Sequence, residues 1–303
     1  MRFLLRRALA ALFLVFAVTS GALLLAQLAP GDYASQIGRT PQEIAAERTR
    51  LGLDRPFLER YAQWLRRSVT LDLGESFQYQ RPVTELVGDA AGNTAVLASS
   101  ALIVATLLGI PWGVLTGTRH GIGASLLRGI SLVLISVPPL ISSLVLLTIA
   151  AATGWLPVSG MGGVSHLVIP TIALALPIAA LLERLQSSAM AESMRRPSIA
   201  AARARGIPES RVIWRHAWRQ ALAPVLGIYG VIVGTLFSGS FAVEYVTQWP
   251  GLGAYMRQAL LSRDVYLVAG CAAAGAAFLA AGILAADLVH ALADPRVSVE
   301  DGR

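Results

Sequence analysis

Long apolar stretches separated by short polar segments dominate the chain. Those long enough to cross the ~30 Å hydrocarbon core of a bilayer lie at residues 8–28, 94–117, 126–152, 167–190, 222–246 and 266–290. The fourth stretch weakens near its end, where Glu183 and Arg184 indicate that it leaves the membrane. The pattern predicts an all-α integral membrane protein with six transmembrane helices.

The first apolar stretch follows three arginines, Arg2, Arg6 and Arg7, and so resembles a secretory signal peptide. Two features favour retention instead. The apolar core is about 20 residues long, which suits a full span, and the segment after Leu28 offers no small-x-small cleavage site at the usual distance. We therefore expect a retained first transmembrane helix.

Residues 30–93 form a long polar region between the first two spans. Thr40 precedes Pro41 and is followed three residues later by Glu43, which is a helix-capping signal. Apolar side chains then recur at helical spacing beside Trp64, at Leu53, Phe57, Tyr61 and Leu65. This spacing predicts that the region is partly helical.

Composition supports a membrane protein, because 55% of the residues are hydrophobic and only 14% are charged. The net charge of +7 then reflects arginines in short loops rather than nucleic-acid binding. These arginines cluster at the start, at Arg119 and Arg128, and between residues 195 and 219. Positive residues favour the cytoplasmic side, so we expect both termini in the cytoplasm and residues 30–93 outside.

No pattern typical of catalysis or metal binding occurs in the chain. The lone Cys271 lies in an apolar run, as a small buried hydrophobic residue would. Few charges lie deep in the predicted spans, since Glu244 and Asp287 are close to span ends. Ion-coupled carriers and channels normally place charges there. Such a transporter or channel stays the alternative, but the scarcity of charges indicates that energy enters from outside the bilayer.

Pro138 and Pro139 lie near the middle of the predicted third span. Proline removes a backbone hydrogen bond and bends helices. We expect this pair to act as a hinge, although membrane helices also tolerate proline without any such role.

The segment from Arg195 to Pro224 carries the strongest local signal. A short Ala/Arg helix is predicted to start at a Ser198 cap and to stop at Gly206, where φ is positive. Pro208 then starts a second helix that carries four basic side chains, Arg211, Arg215, His216 and Arg219. The product is a rigid basic knob below the membrane, suited to docking a cytoplasmic partner. The alternative is a surface helix that contacts anionic lipid.

This segment resembles the EAA loop of ABC-importer permeases, most closely in the branch serving dipeptides, oligopeptides and nickel. The branch pattern appears as Ala202-Arg203-Ala204-Arg205-Gly206 and as Arg215-His216-Ala217, ending at Pro224. Other blocks of the branch follow in order along the whole chain: Leu28-Ala29-Pro30-Gly31-Asp32, Leu51 to Pro56, Asp72-Leu73-Gly74-Glu75-Ser76, Val243-Glu244, Trp249-Pro250-Gly251-Leu252-Gly253, Arg263-Asp264 and Ala291 to Arg296. The chain departs from the pattern at Ala200, where the loop's Glu is absent, at Trp218-Arg219, and at Tyr266, where proline is frequent.

The resemblance implies a type I ABC importer permease organised in four parts. Residues 1–29 would be the first transmembrane helix with its cytoplasmic N-terminus, 30–93 the extracytoplasmic region, 94–290 a five-helix permease core, and 291–303 a cytoplasmic tail. The core would include the coupling segment, residues 195–221. Its contacts with the ATPase would come from Ala202, Arg203, Ala204, Arg205, Gly206, Arg215 and His216.

The resemblance also implies partners. These are a second homologous permease, two ATPase subunits that bind ATP and Mg²⁺, a substrate-binding protein, and the lipids of a bacterial cytoplasmic membrane. The chain itself would bind no cofactor and no nucleic acid and would catalyse no reaction. The side facing the binding protein would include Trp249, Pro250, Gly251, Gly253, Arg263 and Asp264. The substrate would be a peptide or a related small solute such as a nickel chelate or glutathione.

Overall fold

The computed structural model describes residues 2–38, 40–119 and 121–293. These residues are mostly helical, and their only β-type pairing is an isolated bridge between Glu75 and Pro82. The helices are α1 (Arg2–Leu28), α2 (Tyr33–Ile37), α3 (Pro41–Arg50), α4 (Phe57–Ser68), α5 (Val83–Thr118), α6 (Ile122–Ser136), α7 (Pro139–Thr153), α8 (Val164–Met194), α9 (Pro197–Ala204), α10 (Glu209–Arg211), a π-helical segment (Val212–Ala217), α11 (Trp218–Leu226), α12 (Tyr229–Thr247), α13 (Leu252–Ser262) and α14 (Val265–Ala293). Most of the predicted tail, residues 294–303, lies outside the described residues.

Among the described residues, five helices are long and apolar enough to cross a membrane. They contain Leu5–Leu28, Val83–Thr118, Val164–Met194, Tyr229–Thr247 and Val265–Ala285. The pair α6 and α7 raises the number to six if both helices belong to one span. The predicted all-α membrane fold is confirmed.

The predicted third span, 126–152, is not one helix. It divides into α6 and α7, whose axes differ by 104°. Val137 and Pro138 separate them with extended backbone, at ψ angles of 115° and 144°. Both residues precede a proline, whose ring excludes the helical conformation from the residue before it. Two prolines in succession therefore end α6 and restart the chain in a new direction.

The predicted fifth span, 222–246, begins later than expected. Pro224 lies inside α11, which ends at Leu226, and Gly227 with Ile228 separates it from α12. Proline cannot donate to the preceding turn, so the helix is weakened at that point. The apolar helix that could cross the membrane is Tyr229–Thr247.

The chain forms two compact units, whose boundaries fall within α5, between α12 and α13, and within α14. Unit 1 comprises Met1–Ala95 with Pro250–Ala280, and unit 2 comprises Val96–Trp249 with Ala281–Arg303. Unit 1 contains the predicted extracytoplasmic region, and unit 2 contains the predicted coupling segment.

Unit 1 confirms the helix predicted after Thr40. The Thr40 hydroxyl accepts from the Glu43 N–H, and the Glu43 carboxylate accepts in return from the Thr40 N–H, at 3.3 and 3.1 Å. Further along, the apolar face of α4 buries Trp64, which packs with Leu23 and Ala269. The Trp64 indole N–H donates to the Leu73 carbonyl at 3.2 Å. A side chain that the pattern placed on an apolar face thus anchors α4.

Unit 2 is built around α8, which contacts α6, α7, α11 and α12. Its apolar core includes Leu97, Leu174, Leu182 and Leu236. Three glycines of α5 face α8 so closely that no larger residue would fit: Gly109, Gly113 and Gly117. A Cβ at each would lie 2.5 Å from an atom of α8. Small residues at this spacing let two membrane helices approach closely.

Candidate functional site

The first helix of the coupling segment is α9. Pro197 occupies its first turn, where a missing N–H is tolerated. The predicted Ser198 cap is wrong, because Arg196 is the N-cap residue and makes no side-chain cap. The Ser198 hydroxyl instead lies 3.5 Å from the amide nitrogen of Gln220, which donates to it. Proline, not serine, starts this helix.

One face of α9 is buried against the rest of the segment. Ile199 and Ala202 are 0% and 1% exposed, and they pack with Met190, Val212 and Ala217. Nearby, the buried Ser193 hydroxyl donates to the Ala217 carbonyl at 2.9 Å. The end of α8 is thereby joined to the π-helical segment, and α9 is held on a packed base rather than on a free loop.

The end of α9 has the geometry predicted for Gly206. Its φ is +71°, in the left-handed region that favours glycine. The Gly206 N–H donates to the Arg203 carbonyl at 2.9 Å, and the Ile207 N–H donates to the Ala202 carbonyl at 3.3 Å. These two bonds form a Schellman motif, which satisfies carbonyls at the helix end. The turn after α9 is therefore fixed by its backbone.

A bidentate ion pair closes the same turn. The Arg203 guanidinium donates to both carboxylate oxygens of Glu209, at 3.0 Å from Nε and 2.5 Å from Nη2. This hydrogen bonding lowers the pKa of Glu209 and raises that of Arg203. Arg203 was predicted to contact the ATPase, but its charge is already paired with Glu209. Arg203 is engaged within the segment, whereas Arg205 and Arg215 are exposed.

The second predicted helix is divided. α10 follows Pro208 as expected. The backbone hydrogen bonds then change to π-helical spacing over Val212–Ala217, before α11 begins. The π-helical segment carries Arg215 and His216, and Trp214 meets Trp218 edge-on with ring centroids 5.8 Å apart. An extra residue per turn changes the direction of the side chains that follow, and such segments are frequent at functional sites.

The opposite face of α9 is exposed and carries small side chains. Ala200, Ala201 and Ala204 all lie on it, with Arg205 at its end. The alanine side chains are short, so a partner could approach the α9 backbone closely at these positions. Of the predicted ATPase contacts, Ala202 is buried in the segment and supports α9 from below.

Unit 1 contains a second cluster of the sequence blocks. The Asp264 carboxylate is 0% exposed. It accepts from the Ser76 hydroxyl at 2.6 Å, from the Gln78 N–H at 3.1 Å and from the Leu267 N–H at 3.1 Å. Desolvation raises the pKa of Asp264, and these donors oppose the rise. We call this arrangement the Asp264 junction.

Other sequence blocks of the family pattern contact one another in unit 1. The Arg263 guanidinium donates to the Pro30 carbonyl, and a side chain at Gly31 would collide with it. Tyr266 packs over Gly74 and meets Phe77 edge-on with ring centroids 5.2 Å apart. Tyr266, a departure from the family pattern, is therefore part of the packing between these blocks.

Most of the residues predicted to face a binding protein are buried. Gly251, Gly253 and Asp264 are buried in unit 1, where the Asn93 amide donates to the Pro250 carbonyl at 2.9 Å. Trp249 is 4% exposed and belongs to the core of unit 2. Their contact with a binding protein stays a prediction, and their burial indicates that they support the surface from within.

Several contributors escaped the sequence reasoning. Glu209 was not singled out, and Ser76 was noted only as part of a sequence block, because the spacing of an exposed carboxylate or a loop serine does not reveal its partner. The glycines of α5 did leave a signal, the small-xxx-small repeat from Gly109 to Gly117. Glu183, expected near a membrane exit, is 1% exposed and accepts a hydrogen bond from the Thr116 hydroxyl.

Comparison with known proteins identifies the chain. Residues 109–299 match the family model of the binding-protein-dependent transport system inner membrane component. Residues 1–98 match the N-terminal model of the same systems. The chain belongs to this family. It is a permease subunit of an ABC importer and a multi-pass inner-membrane protein, whose family works with ATPases and substrate-binding proteins.

Relatives cover almost the whole chain. A Brucella ovis protein named as a peptide permease is 31% identical over 99% of both chains. The dipeptide transport system permease protein DppB of Lactococcus lactis is 30% identical, over 98% of this chain and 99% of its own. The oligopeptide transport system permease protein AppB of Bacillus subtilis is 29% identical, over 97% and 98%. These relatives favour an ABC importer over an ion-coupled carrier or channel.

Proposed function

We propose that the coupling segment of this permease docks on an ATPase subunit and passes its movement to the membrane helices. The observation that carries this proposal is the rigidity of α9. One face is packed, the other is exposed and small, and the turn at Gly206 is fixed by a Schellman motif and an ion pair. A rigid element can transmit a push that a flexible loop would absorb.

The assembly we propose has a second homologous permease and two ATPase subunits. ATP and Mg²⁺ bind to the ATPases, and this chain performs no chemistry of its own. Both termini lie in the cytoplasm, since the arginine-rich coupling segment does. Residues 30–93 then lie outside, where they meet the binding protein. A cysteine placed at Gln63 should react with an impermeant thiol reagent in intact cells.

Peptides are the substrate class we propose. The support comes from the printed names of the relatives, which are peptide, dipeptide and oligopeptide permeases. A nickel chelate or glutathione is compatible with the same family branch. Transport of labelled dipeptides and of chelated nickel by reconstituted complexes would separate these substrates.

The bend between α6 and α7 is the proposed hinge of the permease. Replacing Pro138 and Pro139 together with alanine removes the rings that exclude the helical conformation from the residues before them. We expect slower transport by assembled complexes. Transport at the normal rate would reduce the two prolines to tolerated residues.

Gly206→Val tests the coupling proposal. A β-branched side chain in the left-handed region costs about 1–2 kcal/mol and displaces the turn. We expect ATP hydrolysis to become independent of transport, or the ATPases to dissociate, while the permease still inserts. Gly154→Val is the matched control, since Gly154 also follows a helix with a positive φ and open space around it but lies outside the coupling segment. Normal transport by Gly206→Val, with ATPases bound, would favour lipid contact as the role of this segment.

A further inference from the structure

We propose that a cleft around Arg60 in unit 1 receives a carboxylate side chain of the substrate-binding protein. The cleft has a volume of about 840 Å³ and is lined by four arginines, Arg50, Arg55, Arg60 and Arg67, against two carboxylates. The inference rests on the proposed function, because it takes residues 30–93 to be the surface that meets the binding protein.

The environment of Arg60 indicates that this cleft binds a ligand. It is 9% exposed, and its Nε is buried without a hydrogen-bond partner. No ion pair of Arg60 occurs among the residues that the structure describes. A buried donor without an acceptor is costly, so an acceptor from outside would complete this site. A guanidinium presents a planar fork of donors that matches a carboxylate in particular.

The carboxylates that line the same cavities as Arg60 are otherwise engaged or exposed. Asp32, which shares a small cavity of about 40 Å³ with Arg60, bonds to Arg48 at 2.7 Å. Asp72 accepts from the Gly74 N–H at 2.9 Å. Glu75 is exposed at the cleft, opposite a lining in which arginines are in excess. The cleft thus keeps a positive character that an acidic partner would neutralise.

The helical register of α4 directs its polar side chains to the cleft. Arg60, Gln63 and Arg67 are spaced three and four residues apart, and all three line it. Trp64, four residues after Arg60, borders this face and packs in the apolar cluster instead. Arg66 is exposed but does not line the cleft. The same helix therefore offers arginines inside the site and one arginine outside it.

The size and place of the cleft favour a protein side chain over a free ion. A volume of about 840 Å³ exceeds what one anion fills and leaves room for a side chain together with part of the loop that carries it. Its walls are residues 49–82 with Tyr266, and the part up to residue 98 matches the N-terminal model of binding-protein-dependent systems. An Asp or Glu on a loop of the binding protein has the chemistry and the reach to enter it.

The test measures binding of the cognate substrate-binding protein to the complete complex in nanodiscs. We expect Arg60→Gln to weaken binding about 30-fold or more, as truncation of one partner of a buried charged pair does. Arg66→Gln should stay within twofold of the wild type. Because Arg60→Gln could impair folding, the exposed pair Arg55→Gln with Arg67→Gln is measured too, and it should weaken binding at least fivefold and reduce its salt dependence.

Three results would overturn the inference. One is unchanged affinity of both cleft variants. The second is that the effect of Arg60→Gln disappears when phosphatidylglycerol is omitted from the nanodiscs, which would assign the cleft to a lipid phosphate. The third is that the difference in affinity between Arg60→Gln and the wild type disappears when the loaded peptide is C-terminally amidated, which would assign the cleft to the peptide. If the wild-type complex itself binds no binding protein, the proposed function fails, and the cleft inference fails with it.

Discussion

The two compact units hold their interiors together by different means. Unit 1 depends on a buried carboxylate, Asp264, that joins segments 188 residues apart in the chain. Unit 2 depends on glycines that let α5 lie against α8, and its coupling segment is closed by contacts a few residues apart. Polar junctions fail when one group is removed, whereas close helix contacts fail when one atom is added. The two units should therefore respond to opposite kinds of substitution.

The largest effect is expected from Asp264→Ala. The substitution leaves the Ser76 hydroxyl and the N–H groups of Gln78 and Leu267 without their acceptor. Each buried donor left without an acceptor costs about 1–3 kcal/mol. We therefore expect the free energy of unfolding to fall by about 3–5 kcal/mol. Thermal unfolding of the purified permease would measure it. Asp54→Ala, at an exposed position of the same unit, is the control and should change little. Equal stability of the two variants would show that the Asp264 junction does not stabilise unit 1.

Adding one carbon atom to unit 2 should come next. In Gly113→Ala the new Cβ would lie 2.5 Å from the Gln186 side chain and 2.7 Å from the Glu183 carbonyl. Overpacking of this kind costs about 1–3 kcal/mol. Gly92→Ala is the matched control on the same helix, since nothing lies within 4 Å of its Cβ. It should be neutral or slightly stabilising, because alanine favours helices over glycine. A neutral Gly113→Ala would contradict the close approach of α5 and α8.

The ion pair of the coupling segment should contribute least to stability. Both side chains are about half exposed, and exposed pairs are worth about 0.2–1 kcal/mol. A double-mutant cycle with Arg203→Gln and Glu209→Gln should give a coupling energy in that range. Arg205→Gln combined with Glu209→Gln is the control cycle and should give none. A coupling energy near zero for both cycles would leave the Schellman motif alone to fix the turn.

Acidification should change the stability contributions of Glu209 and Asp264 in opposite directions. The pKa of Glu209 is lowered, so its contribution is present above the ordinary carboxylate value of ~4 and is lost as the pH falls through the lowered value. The pKa of Asp264 is raised, so its folded form takes up a proton first and stability rises as the pH falls toward ~4. Unfolding measured from about pH 7 to pH 4 should show a rise that Asp264→Asn removes. A wild-type curve parallel to that of Asp264→Asn would contradict the raised pKa.

Local chemistry was predictable from the sequence. Gly206 was expected at a positive φ and Thr40 at a helix start, because glycine and capping residues act within one turn. The order of apolar stretches likewise predicted the membrane helices. The register of long-range contacts was not accessible, so the hydrogen bond from Ser76 to Asp264 was missed. The ion pair of Glu209 with Arg203 was missed too, although it joins residues only six apart. At Pro138 the sequence predicted a bend, but its 104° size required the structure, since two successive prolines fix where a helix ends and not where the next one points.

The bend between α6 and α7 also affects how the protein enters the membrane. Each helix has 15 residues, and at 1.5 Å per residue neither exceeds about 22 Å, less than the ~30 Å of hydrocarbon. Neither could be inserted alone as a stable span by the translocation machinery. Both pack on α8, which is synthesised after them. Their final placement must therefore wait for α8, and nascent chains that stop before residue 164 should leave α6 and α7 accessible to protease.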